Sequence, residues 1–234
     1  MNILISGASR GIGYQMARQA AIHPENLVVA LARNREKLEA LRMDVLSALP
    51  SARLYVLPFD LAEGDYHLLS HELSEIANKF DLLINNAGWL VNKPLRAMEA
   101  EEFDTMYKIN TRAAFLLSKM LLPRMPKGAQ IINISSMGGF QGSEKFPGLG
   151  LYSSTKGALA VLTESMATEW ESMGITVNCL CLGAVDTEMF HDAFPGYTAA
   201  VTPEHMAEFI LDFARIAPGV MNGRILPVTL SNPK

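Results

Sequence analysis

Tyr152 and Lys156 stand four positions apart in the run Tyr152-Ser153-Ser154-Thr155-Lys156. On a helix that spacing puts both side chains on one face, one turn apart. In water a phenol titrates near pH 10 and an ammonium near about 10.4. A neighbouring ammonium favours the phenolate, so the spacing predicts a lowered Tyr152 pKa. A hydroxyl so tuned can give or take a proton near neutral pH. The competing reading is a solvated surface pair. The elements around the pair decide between the two.

Residues 3–6 form a short apolar run of strand type. Gly7-Ala8-Ser9-Arg10-Gly11-Ile12-Gly13 follows, and then a helical stretch from about 14 to 22. Strand, glycine-rich turn and helix form a context for holding a pyrophosphate. Glycine allows the backbone a close approach, and the helix start supplies free N–H groups and partial positive charge. Gly7, Ser9, Arg10, Gly11, Ile12 and Gly13 are therefore the first candidate cofactor contacts.

A second strand, 27–32, ends in Ala32-Arg33-Asn34, and a charged helix follows from 35 to about 49. An acidic residue at this strand end would accept from a ribose 2′-hydroxyl. Here Ala32 holds the place and Arg33 follows, with Arg10 on the same side. Two guanidinium groups match a 2′-phosphate, so NADP(H) is favoured over NAD(H). Arg33 and Asn34 join the cofactor set.

A third strand, 53–59, ends at Asp60-Leu61. Asp60 either accepts from an adenine amino group or caps a helix over 61–79. A fourth strand, 81–85, runs into Asn86-Ala87-Gly88, where Gly88 permits close approach to a ribose. A long helix over about 99–122 carries Asn110, a poor helix-interior residue. Its expected effect is a local break that frees a backbone carbonyl to hold a water. Strand 130–135 is apolar almost throughout, as in the middle of a parallel sheet. It ends in Ser135-Ser136, where open α/β sheets bind ligands. A Gly/Pro-rich loop leads to Tyr152, which opens a helix to about 173. A strand over 175–182 and the turn Gly183-Ala184-Val185-Asp186-Thr187 come next. The segment 188–202 lacks clear periodicity. A helix over 203–216, a strand over 224–228 and a tail over 230–234 complete the chain.

Seven strand–helix alternations over 234 residues imply one domain, 1–234, with a Rossmann-like doubly wound parallel sheet of about seven strands flanked by helices. A net charge of −4 without a basic cluster excludes nucleic acid and anionic membrane as expected partners. No apolar run reaches a membrane span, and residues 1–6 lack a basic signal-peptide start. Cys179 and Cys181 sit two apart on one strand, where a disulfide would be strained. Free thiols and a cytoplasmic location follow. His67 and His71 have no third ligand near in sequence, so no metal site is expected.

Together Gly7-x-x-x-Gly11-x-Gly13, Asn85-Asn86-Ala87-Gly88, Asn110, Ser136 and Tyr152-x-x-x-Lys156 resemble, in order, the motifs of the short-chain dehydrogenase/reductase family. The resemblance implies NAD(P)-dependent hydride transfer on a hydroxyl or carbonyl. It implies Tyr152 as acid/base and Ser136 as holder of the substrate oxygen. Lys156 would lower the Tyr152 pKa and bind the nicotinamide ribose, and Asn110 would anchor a relay water. Gly183, Val185 and Thr187 match positions that contact the cofactor's nicotinamide and phosphates. The sequence departs from the family pattern in three places. Leu182 replaces the usual proline, the lid after Thr187 is short, and the C-terminal run 226–230 lacks the ending of many tetrameric members. A homodimer or homotetramer is expected, with a dimer through the helices near 99–122 and 152–173.

The expected activity is NADPH-dependent reduction of a small carbonyl compound. Trp89, Leu90, Met137, Phe140, Leu149, Phe190 and Phe194 suggest an apolar or aromatic one. Lys93 and Lys145 are the cations available for an acidic substrate. The alternative is a non-catalytic NADP(H)-binding regulator, which has little reason to keep the Ser, Tyr, Lys and Asn set together. A sugar-nucleotide epimerase would need a substrate domain for which the chain has little room.

Overall fold

The computed structural model describes residues 1–230; the end of the expected tail, 231–234, lies outside them. The apolar runs form β1 (Asn2–Ser6), β2 (Leu27–Ala32), β3 (Arg53–Pro58), β4 (Leu82–Asn85), β5 (Gln130–Ser136), β6 (Thr176–Leu182) and β7 (Ile225–Val228). All pair in parallel, in the order β3-β2-β1-β4-β5-β6-β7. The chain winds outward from β1 in one direction and from β4 in the other. The crevice at their carboxyl ends is therefore a topological switch point, where such sheets bind ligands.

Side-chain alternation assigns each strand residue to a layer. Ile3 and Ile5 pack with α1 (Gly11–Ala21), α2 (Arg35–Ala48) and α8 (Pro203–Ile216) through Met16, Leu38, Leu41, Ile210 and Phe213. Leu4 faces the other way, toward α3 (Tyr66–Ile76), α5 (Ala113–Leu121) and α6 (Gly150–Trp170), meeting Leu69, Leu73, Leu117 and Met166. Both faces of the sheet are covered, which is why β2 is buried at every position.

Three expected helices are redrawn. The helix expected over 61–79 begins at Tyr66, because Asp65 caps it by accepting from His67 N at 2.7 Å. Asp60 instead closes a turn, accepting from Ala62 N at 2.8 Å. The single helix expected over 99–122 is α4 (Ala100–Tyr107), a π-turn at Lys108–Arg112 and then α5. Asn110 sits in that π-turn, so the helix breaks where its composition is poorest. The helix carrying Tyr152 starts two residues earlier than expected, at Gly150. Within the aperiodic stretch after Thr187, α7 (Glu188–Ala193) forms because Thr187 Oγ1 accepts from Phe190 N at 3.2 Å.

Candidate active site

β1 ends at the glycine loop. Gly7 and Gly11 take φ of 71° and 55°, a region that favours glycine. A Cβ on Gly13 would lie 2.2 Å from the Gly7 carbonyl oxygen, so loop and helix touch through bare backbone. Arg10, the residue before α1, offers no side-chain cap, and the first turn carries no acidic residue. The helix start is thus open to an external anion, and this loop fits a cofactor pyrophosphate. Asn86 fastens the loop from the neighbouring strand end, donating from Nδ2 to the Ser6 and Gly7 carbonyls at 3.0 and 3.3 Å. Ser6 Oγ accepts in turn from the Asn86 and Ala87 N–H groups, each at 3.1 Å.

Every residue assigned to the cofactor from sequence lines one cleft of about 760 Å³, and so do Ser136, Tyr152 and Lys156. Ala32, Arg33 and Asn34, expected from the sequence at the adenosine end, line the cleft together with Arg10. Lys37, one turn along α2 from Asn34, joins them, and no sequence motif marks it. That asparagine caps α2 by accepting from Lys37 N at 2.8 Å. Leu182 ends β6 in regular pairing with Ser136 and Val228, so the following turn forms without proline.

At the other end of the cleft, Ser136 lies near enough to Tyr152 for its hydroxyl to pull the phenol pKa down. Ser136 is the last residue of β5, and its Oγ also accepts from Gly138 N at 3.2 Å. Lys156 turns into the sheet, donating from Nζ to the Ile134 carbonyl at 2.8 Å, and its Nζ lies 5.8 Å from the Tyr152 ring centroid. Ser135 Oγ donates to the Lys156 carbonyl at 2.9 Å and ties β5 to α6. Asn110 is buried behind the cleft wall. Its Oδ1 accepts from Trp89 N at 2.7 Å, and its Nδ2 donates to the Trp89 carbonyl and Thr155 Oγ1, both at 2.9 Å.

The expected lowering of the Tyr152 pKa is reversed. Burial pushes the phenol up to about 12, and the Ser136 hydrogen bond only partly opposes this. Burial also pushes Lys156 down to about 8, with Cys179 and Cys181 behind it pulling the other way. Helical spacing puts the groups on one face, but loss of water sets the direction of both shifts. Cys179 and Cys181 are buried free thiols, as the sequence predicts.

Trp89, Leu90, Met137, Leu149, Phe190 and Phe194 line the cleft, and Met189, Phe146 and Tyr197 extend the apolar wall. Phe140 does not line it; it packs beneath, against Met137, Ala160 and the two cysteines. Lys93 pairs with Glu102 at 2.9 Å, and Lys145 donates to the Phe140 carbonyl at 2.8 Å. Neither faces the cleft. Among the described residues no cluster of potential metal ligands occurs, and no helix is long and apolar enough to cross a membrane.

A family model described as short chain dehydrogenase matches residues 1–198. A 3-oxoacyl-acyl-carrier-protein reductase of Staphylococcus aureus is 32% identical over 191 residues, covering 80% of this chain and 75% of that protein. An uncharacterized oxidoreductase of the same species is 28% identical over 226 residues, covering 94% of this chain and 92% of its own length. Among solved structures, a short-chain dehydrogenase/reductase from Serratia marcescens superposes with a TM-score of 0.85 at 26% identity, covering 97% of this chain and 96% of that one. A Burkholderia cenocepacia short chain dehydrogenase in complex with NADP shares the fold, with a TM-score of 0.83 at 24% identity over 97% of this chain and 95% of that one.

Proposed function

The chain belongs to the short-chain dehydrogenase/reductase family, NAD(P)-dependent oxidoreductases acting on CH–OH and C=O groups, and we propose that it reduces an apolar or aromatic ketone or aldehyde with NADPH. One observation carries the reading. Ser136, Tyr152 and Lys156 line the same cleft as the glycine loop, with Lys156 one turn along the helix from Tyr152. The bound nicotinamide would supply a hydride to the carbonyl carbon. Ser136 holds the carbonyl oxygen by hydrogen bonding as negative charge grows on it. Tyr152, protonated at neutral pH, gives its hydroxyl proton to that oxygen. Lys156 places a positive charge beside the transfer. Asn110 braces the loop after β4 against α6. Its side chain is fully engaged, so a relay water would be held by its main-chain carbonyl.

The wall of aromatic and sulfur side chains favours a substrate without a carboxylate or phosphate at the reacting end. A panel of ketones, aldehydes, quinones and pterins, scored by NADPH consumption, tests the reading. NADPH binding without turnover of any class would favour a regulator instead. A dimer would cover the exposed Phe103, Phe115 and Val161, and sedimentation as a single chain would remove that part of the reading. Free buried thiols agree with a reducing, cytoplasmic setting.

Reduction should be steady at neutral pH and fall as pH rises through about 8, because Lys156 loses its charge there while Tyr152 keeps its proton. A kcat/KM profile that climbs across that window would contradict the assignment of the cation. Arg33→Ala should weaken NADPH binding by about 10- to 100-fold, the scale of a lost charge-assisted hydrogen bond, and leave NADH unchanged. Titration of each cofactor by fluorescence or calorimetry reads both effects.

A further inference from the structure

The adenosine end of the cleft already contains an anion. Glu188, the first residue of α7, sets one carboxylate oxygen 3.2 Å from Arg10 Nη1 and 3.1 Å from Lys37 Nζ. All three line the cleft. Arg33 has no acidic partner among the described residues. Asp192, one turn further along α7, reaches only Arg10, at 3.7 Å. One carboxylate oxygen thus bridges Arg10, one of the two guanidinium groups matched above to a 2′-phosphate, and its neighbour Lys37.

On the reading that this pocket takes that phosphate, we infer that Glu188 is a cofactor-specificity residue, an internal anion that NADPH must displace from Arg10 and Lys37. A phosphate monoester brings a charge of about −1.5 to −2 near neutral pH. It cannot share these cations with a carboxylate at hydrogen-bond distance without repulsion. The two cations hold the Glu188 carboxyl below its ordinary range, Lys37 first, so the glutamate is ionised when the cofactor arrives. NADH, with a bare 2′-hydroxyl, has no group that competes for the pair. Glu188 therefore lowers NADPH affinity selectively and narrows the preference that Arg33 creates. Because Glu188 opens α7, its release also connects the adenosine end with the wall that bears Phe190.

All three side chains are about half exposed, and the ion pairs are correspondingly weak: 40% for Arg10, 47% for Lys37 and 54% for Glu188. Glu188→Gln should tighten NADPH binding by about three- to tenfold, a gain that shrinks as salt is added. NADH binding should not change. Asp192→Asn removes the same charge from the same helix without the bridge and should give a clearly smaller gain. Equal gains in the two variants, parallel shifts for both cofactors, or no gain in Glu188→Gln would each overturn the inference. Arg33→Ala, measured alongside, separates the two readings. If it leaves NADPH affinity intact, the phosphate pocket itself is wrongly placed. If it weakens NADPH while Glu188→Gln changes nothing, only the role of Glu188 fails.

Discussion

Tyr152→Phe is expected to lower kcat for NADPH-driven carbonyl reduction by about 10²–10⁴-fold, the usual contribution of a positioned proton donor. The substitution removes one oxygen and keeps the ring. Side-chain packing at the start of α6 should survive, and with it the unfolding midpoint and NADPH affinity. The pattern of effects is therefore diagnostic: kcat collapses while cofactor binding stays. Ser136 remains in place and can still bond the substrate oxygen, which explains why the loss has a ceiling. In energy the loss corresponds to about 3–5 kcal/mol of transition-state stabilisation. Single-turnover mixing with preformed NADPH complex would separate the chemical step from product release. Undiminished turnover in this variant would mean that another group delivers the proton.

Gly139→Ala should be nearly as damaging for a different reason. A Cβ at Gly139 would sit 2.5 Å from the Lys156 carbonyl carbon and 2.6 Å from Gly157 N. Both are backbone atoms of α6, so no side chain can swing aside. Helix and loop must separate, and Tyr152 and Lys156 move with the helix away from Ser136. Overpacking of this kind typically costs about 1–3 kcal/mol of stability. Misplacing catalytic groups by an ångström can cost about 100-fold in rate. Gly157→Ala is the matched control. Its added Cβ would lie 3.5 Å from the Gly139 carbonyl oxygen, an ordinary contact, and alanine favours the helix. That variant should keep both its midpoint and its activity. Thermal unfolding with steady-state kinetics on the two proteins tests the contrast, and similar behaviour of both would reject the close-packing explanation.

Asn110 illustrates how far composition can be read. An asparagine inside a long helix announces a break, and the π-turn at Lys108–Arg112 is that break. Its hydrogen bonds to Trp89 and Thr155 were not legible, because they join segments 21 and 45 residues away. Asp60 shows the same limit locally. The helix expected directly after it starts five residues later, since Asp65 caps better than the turn at Asp60 allows. Lys37 and Glu188 lie 151 residues apart, and no pattern along the chain links them.

Tyr152 and Lys156 mark the boundary most clearly. Their types and spacing were enough to put a phenol and an ammonium one turn apart on a helix, because helical geometry is local and periodic. The strand–glycine–helix order likewise determined the parallel sheet and the edge at which ligands enter. Only the tertiary structure decided the protonation of the pair. Lys156 is buried and drawn to the Ile134 carbonyl and Tyr152 is half-buried in the cleft wall, so loss of water raises the phenol and lowers the ammonium. Desolvation depends on everything packed around a group, from strands and helices distant in the chain, and spacing along the sequence carries no measure of it.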